Sequence, residues 1–320
     1  MTATTAPVPR GRVAVRDGVG GRIHGALSVV PTAVLWGIVA IWTLPTLGLL
    51  VSSFRPEDDV RTSGWWTVAT NPDVTLENYR TVFSTSGSDA PNLWQHFLNS
   101  MAIAIPGTVI PIALAAIAAY AFAWMDFKGR SWLFIGVVAM MAVPLQMSLI
   151  PLLQLYTGGA HMTVGGETLT LFPDLDLAGS TTAVWLTHVG FGLPLAIFLL
   201  HNYIASLPKD VFEAARIDGA EHPQIFWRLV VPLSVPALAS FAIFQFLWVW
   251  NDYLVALTFV GGSLEDAPMT VRLATLSGSR GQDWHLLTAA AFVSVAVPLV
   301  VFFSLQRYFV RGLLAGSVKG

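Results

Sequence analysis

Three stretches, Gly25 to Phe54, Phe97 to Met125 and Ser131 to Ala160, contain no Asp, Glu, Lys or Arg, and each is long enough to cross a bilayer. A helix needs about 20 apolar residues to span the hydrocarbon core, where no bulk water is present and backbone N–H and C=O groups must be satisfied within the protein. A fourth run, Leu177 to Pro208, carries two His and no Asp, Glu, Lys or Arg, and a fifth, from near Leu229, meets one charge, Asp252, before Gly261-Gly262. A sixth runs from Trp284 to Gln306. These runs predict an all-α, polytopic membrane protein with six transmembrane helices, at about 25–54, 97–125, 131–156, 181–205, 233–260 and 284–306. Composition agrees: 54% of residues are hydrophobic and 11% charged, with a mean hydropathy of +0.64, against about 25% charged in a soluble domain. Pro45, Pro106, Pro144 and Pro194 fall inside the runs and are read as kinks, since neighbouring helices in a bilayer can satisfy the freed carbonyls.

Six spans put both termini on one side, and positively charged loops stay in the cytoplasm. Arg10, Arg12, Arg16, Arg22, Lys128, Arg130, Lys209, Arg216, Arg228, Arg307, Arg311 and Lys319 fall on that side; Arg55, Arg61, Arg80, Arg272 and Arg280 fall on the other. Both termini and the segment 206–232 are therefore expected in the cytoplasm. The first apolar run is about twice as long as a signal-peptide core and lacks a small-x-small cleavage site, so it is expected to be retained. Residues 1–24 read as a cytoplasmic tail. Outside, Thr75 is placed to cap a short helix with Glu77 in its first turn, Trp65 and Trp66 suit the membrane interface, and the segment 157–178 carries no further signal.

Several function classes are disfavoured. A net charge of −2 with scattered Lys and Arg offers no field for nucleic acid. Zero Cys removes thiol chemistry and Cys-ligated metals. No GxxxxGK[ST] phosphate loop is present, and the seven His show no HExxH or i, i+4 pairing. No catalytic residue, cofactor site or metal site is therefore expected. A proton-coupled secondary transporter would need a buried acid–base relay, and a membrane-embedded enzyme a clustered catalytic set; neither pattern is found.

The segment 206–232 is the most informative. Pro208 suits a helix first turn, Asp218-Gly219 is a turn signal in which Gly219 can adopt a left-handed backbone, and Pro223 can start a second helix that reaches the membrane at Pro232. Glu213 offers a carboxylate, while Ala214 and Ala215 allow a partner's backbone to approach. Glu213-Ala214-Ala215, with Gly219 four residues after the second Ala and Leu229-Val230-Val231-Pro232 beyond, resembles the EAA loop of ABC importer permeases. Leu229 and Val231 replace that family's usual Ile and Leu, which keeps the apolar character. Thr75-Leu76-Glu77-Asn78-Tyr79, Pro144-Leu145-Gln146 to Pro151, Trp250-Asn251-Asp252-Tyr253, and Gln306 to Gly312 ending in Val318-Lys319-Gly320 are similar to the carbohydrate branch, in its smaller maltose-permease-like subunit. Gly281-Gln282-Asp283-Trp284-His285-Leu286-Leu287 is most similar to bacterial alpha-glucoside permeases.

The resemblance implies the type I ABC importer permease fold and a place in the bacterial inner membrane among lipid. It implies a second permease as heterodimer partner, two ATPase subunits that bind ATP-Mg, and an external sugar-binding protein. Glu213, Ala214, Ala215, Asp218, Gly219 and Pro232 would then couple to the ATPase, and the tail 312–320 would reach between the ATPases. An ABC permease for a non-sugar solute is the first alternative, and a proton-coupled secondary transporter the second. Polar groups within spans are costly unless bonded, which makes Asn99, Gln146, Gln245, Asn251 and Asp252 candidates for the substrate path. The last two are expected near the outer face, where they suit a gate or a helix-end bond.

Overall fold

The computed structural model of the chain describes residues 32–84, 92–261, 263, 265–276 and 283–317, with side chains through Arg307. The expected tail at 1–24 lies outside the described residues. Two compact units meet at Leu49 and Leu50 in the sequence.

The first described helix, α1 (Thr32–Ser53), contains Pro45 and exposes nearly all of its apolar surface, including Trp36 and Trp42. A helix of this length that is apolar on every side belongs in lipid or against other membrane helices.

In the second unit, short helices α2 (Glu57–Thr62) and α3 (Glu77–Val82) precede α4 (Leu93–Trp124). The Thr75–Tyr79 stretch closes the end of α1, whose last carbonyls have no partner within the helix. Asn78 is buried and its Nδ2 donates to Ser53 O and Arg55 O, both at 2.9 Å. Tyr79 Oη lies 2.8 Å from Ser53 Oγ, and Thr75 Oγ1 accepts from the Glu77 N–H at 3.0 Å.

The third apolar run is a broken pair rather than one kinked helix: α5 (Arg130–Met140) and α6 (Leu145–Gly158) meet at 100°. Pro144 caps the start of α6 with φ −67 and ψ 129. It therefore ends a helix, because a proline disfavours helical backbone in the residue before it and supplies no N–H. The segment after α6 is an antiparallel hairpin, β1 (Ala160–Val164) with β2 (Glu167–Phe172), turned by Gly165 and Gly166, both at positive φ.

Helix α7 (Thr181–Ala205) matches its expected bounds. Beyond it come α8 (Lys209–Ile217), α9 (His222–Ile225), a π-helical turn (Phe226–Val230) and α10 (Val231–Trp250). The fifth span stops at Trp250 instead of running to 260, and α11 (Leu254–Val260) restarts after Asn251–Tyr253. Then follow α12 (Met269–Leu276) and α13 (Trp284–Ser317). That last helix continues into the stretch expected as a tail, of which 318–320 lie outside the described residues. Among the described residues, five helices are long and apolar enough to cross a membrane, six if the bent α5–α6 pair is one span.

Helix α4 packs along α7, and α10 lies against α4 and α13. Small residues make the α4–α7 seam: Ala115, Ala116, Ala119 and Ala196 are all buried, as close packing between membrane helices requires. Three apolar clusters succeed one another along α4. Leu93 packs with Val82, Met269, Ala289 and Ala290 at its start; Ile103 and Ala104 pack with Val184 and Phe246 in its middle; Tyr120 packs with Ile204, Phe212 and Phe226 near its end.

Candidate functional site

Two features at different depths can carry function: the helical hairpin 206–232 and a cavity between α5–α6, α7 and α10.

The hairpin is built on local rules. Pro208 is the residue before the first turn of α8, in extended conformation, and Asp210 compensates the helix dipole in that turn. The C-terminus of α8 is a Schellman stop: the Ala220 N–H donates to Ala215 O at 2.9 Å and the Gly219 N–H to Arg216 O at 3.0 Å, with Gly219 at φ +78. A Cβ on Gly219 would meet no atom within 4 Å, so glycine is there for its backbone and not for space. Glu221 stands at the N-cap of helix α9, and its N–H donates to Gln224 Oε1 at 3.1 Å. The π turn, in which the Val231 N–H reaches back to Phe226 O, precedes Pro232, which has no N–H to donate.

One residue of α8, Phe212, is buried, 1% exposed. Its ring stacks on Trp124 at the end of α4, with centroids 4.0 Å apart and planes 13° from parallel. Trp124 Nε1 donates to Ile204 O at the end of α7, at 3.1 Å, and Arg216 Nη2 donates to Trp124 O at 3.1 Å. Below α9, Tyr120 Oη lies 2.7 Å from His222 Nδ1. The hairpin is thus tied to both α4 and α7. Its other face is bare: Glu213, Ala214, Asp218 and Gly219 are exposed and Ala215 is half-buried, while Ile217 is 86% exposed. A concave surface of about 520 Å³ lies alongside, between Arg216, Gly219, Glu221 and Pro223. Arg216 is held by its bond to Trp124 O, and Glu213, Asp218 and Glu221 are exposed carboxylates on the same hairpin. Such a face suits a partner offering an apolar pocket and a basic group. The motif residues Glu213, Ala214, Ala215, Asp218 and Gly219 are brought together here; Pro232, also exposed, stands at the entrance to α10.

The cavity, about 660 Å³, is lined by apolar side chains of α5–α6 and by Tyr156, Thr187, Phe191, Gln245 and Trp248. Gln245 Nε2 donates to Gly107 O at 3.0 Å. Gly192 makes room for this amide, since a Cβ there would lie 2.5 Å from Nε2 and 2.8 Å from Oε1. Of the five candidate path residues, Gln245 alone lines the cavity. Asn99 is buried and donates to Glu265 O at 2.7 Å and Ala267 O at 3.1 Å; with His96 Nδ1 at 2.7 Å from Ala267 O it anchors the loop before α12. Gln146 is exposed on α6, and Asn251 donates back to Leu247 O at 2.8 Å. Asp252 Oδ2 accepts from the Val255 and Ala256 N–H groups at 3.0 and 3.1 Å, capping α11.

Phe212, Trp124, Ile217 and Tyr156 were not singled out from sequence. Phe212 was findable: it is the one aromatic residue in an α8 whose other side chains are mostly small or polar. The cavity was not, because it depends on the bend at Pro144.

Residues 111–314 match the family model described as the binding-protein-dependent transport system inner membrane component. An osmoprotective compounds uptake permease protein of Synechocystis sp. is 57% identical over 286 residues, covering 88% of this chain and 89% of the relative. The alpha-glucoside transport system permease protein of Rhizobium meliloti is 53% identical over 272 residues, covering 85% and 67%. A chain in the crystal structure of a bacterial alginate ABC transporter, in complex with an alginate pentasaccharide-bound periplasmic protein, has a TM-score of 0.64 at 12% identity, covering 89% of this chain and 94% of that one. That likeness is one of fold.

Proposed function

The chain belongs to the binding-protein-dependent transport system inner membrane component family, and on that premise we propose that it is the permease subunit of an ATP-driven sugar importer, carrying alpha-glucosides or related oligosaccharides. It is a multi-pass membrane protein, and its partners are those of an ABC importer. We assign both termini and the hairpin to the cytoplasm from the charge distribution. Its partners would be a second permease, two ATPase subunits that bind ATP-Mg and do the hydrolysis, and an external sugar-binding protein.

One observation carries the coupling role: a hairpin bare on one face and locked on the other to the ends of two long spans. ATPase movement would enter through Glu213, Ala214 and Ile217. It would pass through the Phe212–Trp124 stack and the Arg216–Trp124 bond into α4, and through the Trp124–Ile204 bond into α7. Since α4 and α7 pack along one another, a push on the hairpin would tilt them together, a hinge or shear displacement of packed helices.

The cargo class rests on the relatives' names. The alpha-glucoside relative favours a glucoside, and the 57% identity to an osmoprotective-compound permease supports a compatible solute as second reading. Gln245, with its amide at the cavity wall beside Trp248 and Phe191, is the side chain proposed to meet a sugar hydroxyl. In the assembled complex with its binding protein, alpha-glucosides are expected to stimulate ATP hydrolysis while amino acids do not. Stimulation by amino acids alone would overturn the sugar reading.

A further inference from the structure

At the end of α4 opposite the hairpin, α3, α12 and α13 share the Leu93 cluster, and α2 packs against α13. There Glu57 of α2, Asp283 just before α13 and His285 in its first turn each offer a ligand atom, all within 4.8 Å of one another. We propose that these three side chains form a divalent-cation site of the zinc class.

His285 is the reason to look beyond a chance pairing of surface acids. It is 7% exposed, and its Nδ1 is buried with no hydrogen-bond partner among the described residues. Its Nε2 faces Glu57 Oε2 at 3.7 Å, too long for a hydrogen bond. A buried imidazole left in this way is costly. The 3.7 Å gap is close to the separation of two ligands in a tetrahedral zinc site, about 3.4 Å for bonds near 2.05 Å. A cation between them would give Nε2 a partner and would leave Nδ1 as it is.

The carboxylates are arranged to match. Arg61 Nη1 holds Glu57 Oε1 at 2.8 Å, which fixes the group and leaves Oε2 directed at the imidazole, as an outer hydrogen bond orients a ligand in metal sites. Asp283 accepts the Leu287 N–H through its backbone carbonyl at 2.9 Å, the position that opens a helix. Its non-helical placement lets a side chain two residues before His285 share a ligand cluster with it. One imidazole nitrogen and two carboxylate oxygens suit zinc, with a fourth position for water. Calcium prefers six to eight oxygen ligands, and magnesium demands near-ideal octahedral oxygen coordination and rarely takes imidazole. Because Nδ1 has no acceptor, the site lacks the outer brace of tight zinc sites, and a micromolar affinity is expected.

Sequence spacing hides such a site, since Glu57 lies far from Asp283 and His285 along the chain. A bound ion would tie α2 to the first turn of the last span. Under the proposed orientation this end faces outside the cell, where free cation could reach it.

The test is titration of the full-length chain in lipid nanodiscs with Zn²⁺ alone, by calorimetry. The expected result is one Zn²⁺ per chain at micromolar Kd. Binding should weaken at least tenfold in Glu57→Gln, Asp283→Asn and His285→Gln and stay unchanged in Glu77→Gln, which alters an exposed carboxylate of α3. Asp283 is exposed, so Asp283→Asn keeps the test valid if the buried His285 variant misfolds. Absence of stoichiometric binding, or equal affinity in wild type and Asp283→Asn, would overturn the site. Neither sugar nor ATPase is needed, so the outcome is independent of the transport reading.

Discussion

Truncating Phe212 to alanine removes the one aromatic ring that seats α8 on the spans, and its cost follows from the structure. The ring is 1% exposed and stacked 4.0 Å from Trp124, among Ile204, Ile225 and Phe226. Deleting a buried phenyl of this kind costs about 3–5 kcal/mol, of which about 0.5–1.5 kcal/mol is the ring pair itself. Phe212→Leu refills much of the volume but still loses the ring pair, so it should cost less than Phe212→Ala and no less than about 0.5–1.5 kcal/mol. The loss falls on a local unit, because α8 is joined to the rest by short turns, so it should appear as local opening rather than global unfolding. Hydrogen exchange read by mass spectrometry on the full chain in nanodiscs should show α8 amides exchanging roughly a hundred- to several-thousand-fold faster in Phe212→Ala. Amides of α13, which does not share this cluster, should be unchanged. Exchange of α8 within about threefold of wild type would refute the idea that the stack anchors the hairpin.

Two further outcomes follow from backbone and packing geometry. Replacing Gly219, at φ +78 with open space around its missing Cβ, should cost about 1–2 kcal/mol of pure backbone strain; exchange at Ala220 should accelerate in the order Val, Ala, Asn from most to least, and equal effects of all three would contradict the strain account. Gly192→Ala should drive the Gln245 amide off Gly107 O, costing about 1–3 kcal/mol, and Gln245→Ala should then cost less in that background than alone by thermal melting. Additive losses would place the two side chains out of contact.

The spans were legible wherever a single physical rule decided them. Charge-free length gave α4, α7 and α13, and proline, Asp-Gly and charge patterning gave the hairpin its two helices and its turn. Pro144 was misread as a kink, because whether a membrane proline bends or breaks a helix depends on the neighbours that accept the freed carbonyl. The break at Asn251–Tyr253 was likewise invisible as a break, although Asp252 and Asn251 were picked out as polar; their backbone bonds are what stabilise it. The β1–β2 hairpin carried its signal in Gly165-Gly166 flanked by Thr- and Val-containing runs, which a search for helices passes over. Candidate path residues fared unevenly for one reason: a polar residue in an apolar span must be satisfied by something, and sequence does not say whether the partner is backbone or cargo. Asn99 and Asn251 are satisfied by backbone, and Gln245 is satisfied on one side and borders the cavity on the other.

The central claim is that force reaches the membrane through the bare face of α8. Glu213 is exposed and, among the described residues, has no hydrogen bond or ion pair, so reversing its charge should leave the chain's own structure intact. If Glu213 meets a basic group that becomes desolvated on docking, losing that pair costs about 3–5 kcal/mol. Glu213→Arg should therefore insert in the membrane at wild-type level, yet lose co-purification with the ATPase and lose sugar uptake. Wild-type ATPase association together with wild-type uptake in Glu213→Arg would contradict it.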